Sequence, residues 1–204
     1  MNTMSSQTRK YELKERAERQ EATRRRIVEA TVALHEEVGP ARTTVAEIAR
    51  RAGVQRLTVY NHFPEERELF DACGGRFLAA HPRPEFTDAL ALEDPTARVA
   101  EALRRLYAWY RETERMTEKI QRDRFLVPAL EERVQQTTDA PFAELAATLA
   151  GSFRARGRRA ERVAATVRLA LDFWTWRRLK LEGLDDERAA ALMADTVACQ
   201  ARPA

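Results

Sequence analysis

The chain has 204 residues, 44% of them hydrophobic and 33% charged, which suits a soluble globular protein of one large domain or of a small domain joined to a bigger one. Arg168 and Asp172 interrupt the richest apolar run, so no segment is long enough to span a bilayer. Net charge is only +3, but its distribution is uneven. Residues 1–63 carry twelve Lys/Arg against eight Asp/Glu, while residues 64–204 carry twenty-three against twenty-four. Abundant Ala, Leu, Arg and Glu, without the alternation of a half-buried strand, predict an all-α fold. Cys73 and Cys199 stand far apart and in no metal-ligand spacing, and no apolar segment follows the polar N-terminus. Those features predict a cytoplasmic protein without an export signal, a metal site or a cofactor.

Residues 1–16 read as a flexible basic tail in which Arg9, Lys10, Lys14 and Arg16 either follow a DNA backbone or merely solvate the terminus. A first helix is expected from about Ala17 to Val38, with Ile27, Ala30, Thr31, Leu34 and Val38 inward and Gly39-Pro40 as its stop. Arg24, Arg25 and Arg26 near its start are placed to meet phosphate.

Thr44 with Glu47 three residues on then forms a capping box. Val45, Ile48, Ala49 and Ala52 share one face of the helix it opens, and Gly53 supplies the turn. Val54 and Val59 complete a small shared core, and Gln55, Arg56, Thr58, Tyr60 and Asn61 face outward. Two short helices joined this way, the second presenting hydrogen-bonding side chains and one arginine, spell a helix-turn-helix across residues 17–63.

Pro64 opens a connecting helix and loop over residues 64–85, with Glu65 and Glu66 in the first turn, where acidic groups suit the helix dipole. Residues 86–204 read as a second helical domain. Its expected helices are a long one capped by Asp94, a short one over Thr117–Phe125, one from about Thr138-Asp139, one from Arg158 to Glu182, and one capped by Asp185. The fourth of these is apolar nearly all round between Val163 and Trp176, which implies a second buried face and predicts a homodimer built from it and the last helix. A central core helix in a monomer is the alternative.

With these pieces placed, the chain resembles the TetR family of bacterial transcriptional regulators. The likeness lies in residues 24–70: the apolar face of the first helix, Thr43-Thr44, Ile48-Ala49, Ala52-Gly53-Val54, Tyr60, His62-Phe63 and Leu69-Phe70. Beyond them it is one of length and helix order. The resemblance implies about nine helices, a three-helix N-terminal DNA-binding domain, and a larger C-terminal domain that binds a small molecule and dimerises. It places Thr43, Gln55, Arg56, Thr58, Tyr60 and His62 at the DNA surface. Asn61 and Leu57 join that set, Leu57 either touching a thymine methyl or packing inward. The chain departs from the family at Gln55, where Ser or Thr is usual, and at Glu66, where Lys is common and Arg67 is the candidate replacement.

The function so implied is sequence-specific transcriptional regulation: a repressor released from a palindromic double-stranded DNA operator by a small-molecule effector. The candidate effector residues are Trp109, Tyr110, Phe125, Phe173 and Trp176, an aromatic set suited to a hydrophobic or aromatic ligand, with Asp172 to hold a cation. The same side chains equally suit core or dimer packing. Two rivals remain at this stage. One is a constitutive DNA-binding regulator whose C-terminal domain only dimerises. The other is a helical enzyme, against which stand the scattered His35, His62 and His81 and the lack of any catalytic motif.

Overall fold

The computed structural model describes residues 3–202, with side chains from Lys10 onward, so Arg9 lies outside the described side chains. Helix α1 (Thr3–Glu37) is longer than expected. Residues 1–16, expected to be a flexible tail, are helical from Thr3 on. The reason is local: this half is rich in good helix formers, and opposite charges sit one turn apart, Lys14 to Glu18 at 3.8 Å and Glu15 to Arg19 at 3.4 Å. The second half buries Ile27, Ala30, Thr31 and Leu34. Val38, expected on that face, lies past the helix end and is exposed.

Helices α2 (Val45–Ala52), α3 (Arg56–His62) and α4 (Glu66–Ala80) follow. Together with α1 they close a small core running from Ile27 to Cys73, in which Ile48, Ala49, Val59, Phe63 and Leu69 meet. Phe70, one residue after Leu69, points the other way and packs on Leu130 and Val134. Helix α4 therefore belongs to both halves of the molecule.

The larger half contains α5 (Thr87–Ala91), α6 (Pro95–Asp123), α7 (Pro128–Val134), α8 (Ala140–Ser152), α9 (Arg158–Leu171), α10 (Phe173–Leu181) and α11 (Asp186–Ala201). Asp94 caps α6 by accepting from the amide of Ala97 at 2.7 Å, and Pro95 occupies the first turn, where its missing N–H is no loss. No breaker lies between Met116 and Asp123, so the short helix expected over Thr117–Phe125 is the last turns of α6 followed by a 3-10 turn at Arg124–Leu126. Helices α7 and α8 are joined by a π-turn over Gln135–Asp139.

The single helix expected over Arg158–Glu182 is divided at Asp172. That residue is extended (ψ 135°), and its carboxylate accepts from the amides of Trp174 at 2.8 Å and Thr175 at 3.1 Å, so it caps α10 instead of continuing α9. The break frees carbonyls at the end of α9, and two buried tyrosines on α6 satisfy them. Tyr107 donates to the Ala170 carbonyl and Tyr110 to that of Leu171, each at 2.7 Å. Burial pushes both phenols above their usual pKa, so they remain donors. Such divisions raise the α-helix count among the described residues above the nine or so implied by the resemblance. Among the same residues no helix is long and apolar enough to cross a membrane, and no cluster of three or more His, Cys, Asp or Glu could hold a metal ion.

Candidate nucleic-acid interface and the cavity behind it

The interface begins with a cap. The Glu47 amide donates to the Thr44 hydroxyl at 3.2 Å and starts α2. The return half of the expected capping box does not form, because the Glu47 carboxylate accepts from Arg50 Nε at 2.9 Å instead. Gly53 sits in the left-handed region (φ 65°, ψ 42°), where a Cβ would be strained. The amides of Gly53 and Val54 turn back onto the Arg50 and Ala49 carbonyls at 3.3 and 2.9 Å. That closure ends α2 and aims α3.

Within α3, Val59 is only 2% exposed and Phe63 seals the end, with the Arg24 guanidinium 4.6 Å above its ring. Everything else on the helix is left outward. Gln55, Arg56 and Asn61 are exposed, Leu57 is 66% and Tyr60 53% exposed, and Thr58 and His62 are half-buried. Leu57 therefore faces solvent and does not pack inward. Gln55 occupies the cap position of α3 without a side-chain hydrogen bond. Thr43 is half-buried and donates to the Gly39 carbonyl at 2.9 Å, so it braces the turn before α2. Arg67, the candidate replacement for a family lysine, turns away from α3: it lies 3.3 Å from Gln136 Oε1 and 4.0 Å from Glu132 in the larger half.

The C-terminal end of α6 grips the stretch that leads into α2. Asp123 is 2% exposed and accepts from the Ala41 amide at 3.1 Å and from Arg122 Nε at 2.6 Å, while Arg122 also donates to the Val38 carbonyl at 3.0 Å. Burial raises the Asp123 pKa, but the bonds from Arg122 and Ala41 outweigh it and hold the carboxyl below its ordinary value. Gly39 (φ 94°) is required at this contact. A Cβ there would fall 2.3 Å from the Arg122 guanidinium and 2.4 Å from the Asp123 carboxylate.

Behind this contact lies a cavity of about 110 Å³ that opens to solvent, bordered by α1, α4, α6, α7 and α8. Trp109 and Tyr110 line it as expected candidates; the other four do not. Phe125 is 77% exposed on the 3-10 turn, Asp172 is occupied as a helix cap, and Phe173 and Trp176 are core. Trp176 donates through Nε1 to Asp186 at 3.0 Å, and Phe173 meets Tyr110 edge-on at 5.3 Å. Trp174, inside the stretch from Val163 to Trp176 that was expected to bury two faces, is exposed on α10.

Sequence reasoning missed His35, Cys73, Gly74, Arg83 and Arg133, all of which line the cavity. His35 stacks on Phe70 at 5.5 Å, and burial lowers its pKa to about 4 although Asp123 opposes the shift, so it is neutral. Burial pushes the Cys73 thiol up to about 12, so it is protonated. Nothing in the local pattern around Arg83 or Arg133 distinguishes them from solvated arginines.

A short outward-facing helix locked by a glycine turn onto a capped partner, carried on a larger helical body with a cavity, is a helix-turn-helix architecture. The comparisons with known proteins agree. Residues 27–73, the same span as the small core, match the model of the bacterial regulatory proteins of the tetR family. That model and the relative described next are both of regulatory proteins, which weighs against the enzyme alternative. The HTH-type transcriptional regulator BetI of Yersinia pestis (strain Pestoides F) is 34% identical over 79 residues, covering 37% of this chain and 39% of that protein. The match thus spans well under half of that relative's length. A TetR-like transcriptional regulator from Rhodococcus sp. RHA1 shares the fold with a TM-score of 0.60 at 21% identity, covering 86% of this chain and 93% of that one. NalD of Pseudomonas aeruginosa, the secondary repressor of the MexAB-OprM multidrug efflux pump, does so at 0.55 and 22%, covering 90% and 97%.

Proposed function

We propose that the protein is a homodimeric, cytoplasmic repressor that holds a palindromic operator through α3 and releases it when a small molecule fills the cavity. The observation that carries the effector part is shared walls. His35 on α1 and Phe70 and Cys73 on α4 border the cavity while being buried beside or within the core of the DNA-binding half. A ligand that alters their packing alters the support of α3. The constitutive alternative needs a filled interior, and the cavity disfavours it.

Arg56, Tyr60, Asn61, Gln55 and Leu57 would meet DNA directly, with Thr58 and His62 at the edge of the contact and Thr43 bracing its approach. Two copies must present α3 about 34 Å apart to reach successive major grooves. Exposed Leu169 on α9 and Leu192 on the neighbouring α11 offer an apolar seam for the partner subunit. NalD is described as a repressor, and repression is assigned to this chain by that likeness. Coupling of about 1–3 kcal/mol between the two sites is enough for a five- to hundredfold change in operator affinity.

Fragments of the host genome retained by the purified protein would supply the operator. On it, Arg56→Ala and Tyr60→Ala should each weaken binding by about 1–3 kcal/mol at matched salt, with unchanged thermal stability and subunit association. Unaltered affinity in both variants removes α3 as the DNA-reading element.

A further inference from the structure

We propose that the cavity takes an amphipathic organic anion, a carboxylate on an apolar body, and that Arg83 and Arg133 receive its charge. This rests on the effector reading above and names its ligand class. Most of the wall is apolar, with Phe70, Phe77, Met116, Ile120 and Phe142 among its residues. Its charge is concentrated at one place, because both guanidiniums converge on Thr137. Arg83 donates to the Thr137 carbonyl and, at 2.9 Å, to the Thr138 hydroxyl, and Arg133 lies 3.3 Å from the Thr137 hydroxyl.

Among the described residues no Asp or Glu lines the cavity to balance them. Arg83 has no acidic partner within ion-pair distance among those residues. Arg133 forms an ion pair with the more exposed Asp71, whose Oδ1 lies 3.2 Å from its Nε, but the carboxylate is off the N–H direction, so no hydrogen bond forms. The Nε groups of both arginines are buried without an acceptor. Each such donor costs free energy, and two like charges side by side add to it. Burial and the neighbouring Arg133 both press the Arg83 pKa below its ordinary value, while an arginine in a protein stays charged regardless.

The α4 backbone is shaped for this arrangement. Gly74 faces the Arg133 head, and a Cβ there would stand 2.1 Å from its terminal nitrogen. His35 and Cys73, neutral and protonated, add no negative charge. An incoming carboxylate relieves the repulsion and supplies the missing acceptors, whereas a cation meets two positive charges. The expectation of a cationic ligand held by Asp172 is thereby reversed.

Calorimetric titration of the intact protein at pH 7.5 with decanoate, decanol and decyltrimethylammonium, all below their aggregation limits, tests the assignment. Decanoate should bind at least tenfold more tightly than decanol, and the cation most weakly. Arg83→Met should reduce decanoate affinity about tenfold and leave decanol unchanged. If that variant folds poorly, Gly74→Ala, which displaces only the end of a flexible side chain and favours the helix, should narrow the decanoate preference at undiminished melting temperature. Equal binding of decanoate and decanol, or a preference surviving in every folded variant, overturns the anion assignment and leaves the effector reading intact. Failure of all three probes to bind, with operator binding retained, overturns both.

Discussion

In the DNA-binding half, the packed side chains between Ile27 and Cys73 are small and aliphatic apart from Phe63, and almost every turn carries its own local stop or start. In the larger half, Tyr107, Tyr110, Phe173 and Trp176 pack ring on ring, and the C-terminal end of α9 is settled by groups far away in the chain. The first half is a rigid presenter of one exposed helix, positioned by short-range chemistry. The second trades that economy for long-range aromatic packing and leaves a cavity beside it. A firmly packed reading head beside a body that keeps an open cavity is the division of labour that the proposed ligand-responsive repressor needs.

The largest expected effect separates the two cores. Trp176→Ala removes a 1% exposed indole and should cost about 3–5 kcal/mol of unfolding free energy, with hydrogen exchange accelerating in α6, α10 and α11. If α2 and α3 exchange faster to the same degree, the halves unfold as one unit and the contrast is lost.

The junction comes next. His35, pressed down to about 4 by burial, binds its proton less readily folded than unfolded. Its contribution is therefore complete above pH 6.5 and falls away as the pH drops toward 4, a loss of about 3 kcal/mol. Denaturant unfolding at pH 7.5, 5.5 and 4.5 should show that decline, and His35→Gln should flatten it. An unchanged slope in the variant would assign the acid sensitivity to other groups.

Smallest is the cap. Thr44→Ala should destabilise the DNA-binding half by about 1 kcal/mol and leave the larger core untouched. A loss several times greater would mean that α2 is held less by packing than its buried Ile48 and Ala52 imply.

The same contrast explains what could be read from the residues alone. Thr44, Gly53 and the apolar spacing of α2 are local signals, and they located the helix-turn-helix and the outward face of α3. The division at Asp172 was not legible because an aspartate inside an apolar pattern reads equally as a surface residue; only the Tyr107 and Tyr110 hydroxyls waiting for freed carbonyls make the break favourable. The aromatic candidates failed for a related reason. Aromatic side chains serve core and cavity alike, and Phe173 and Trp176 went to the core. The cavity's distinguishing groups are arginines from separate segments, Arg83 in a loop and Arg133 on α7, which no spacing rule brings together.

The bond from the Ala41 amide to Asp123 turns α6 into a lever. At about 1.5 Å per residue, its 29 residues make a rod roughly 43 Å long whose tip is fastened to the segment preceding α2. Met116 and Ile120, which border the cavity, lie within two turns of that tip. A tilt of about 2° around the far end carries the tip sideways by roughly 1.5 Å. In the proposed twofold pair the two tips would swing in opposite senses, and the separation of the two α3 helices would change by up to twice that amount.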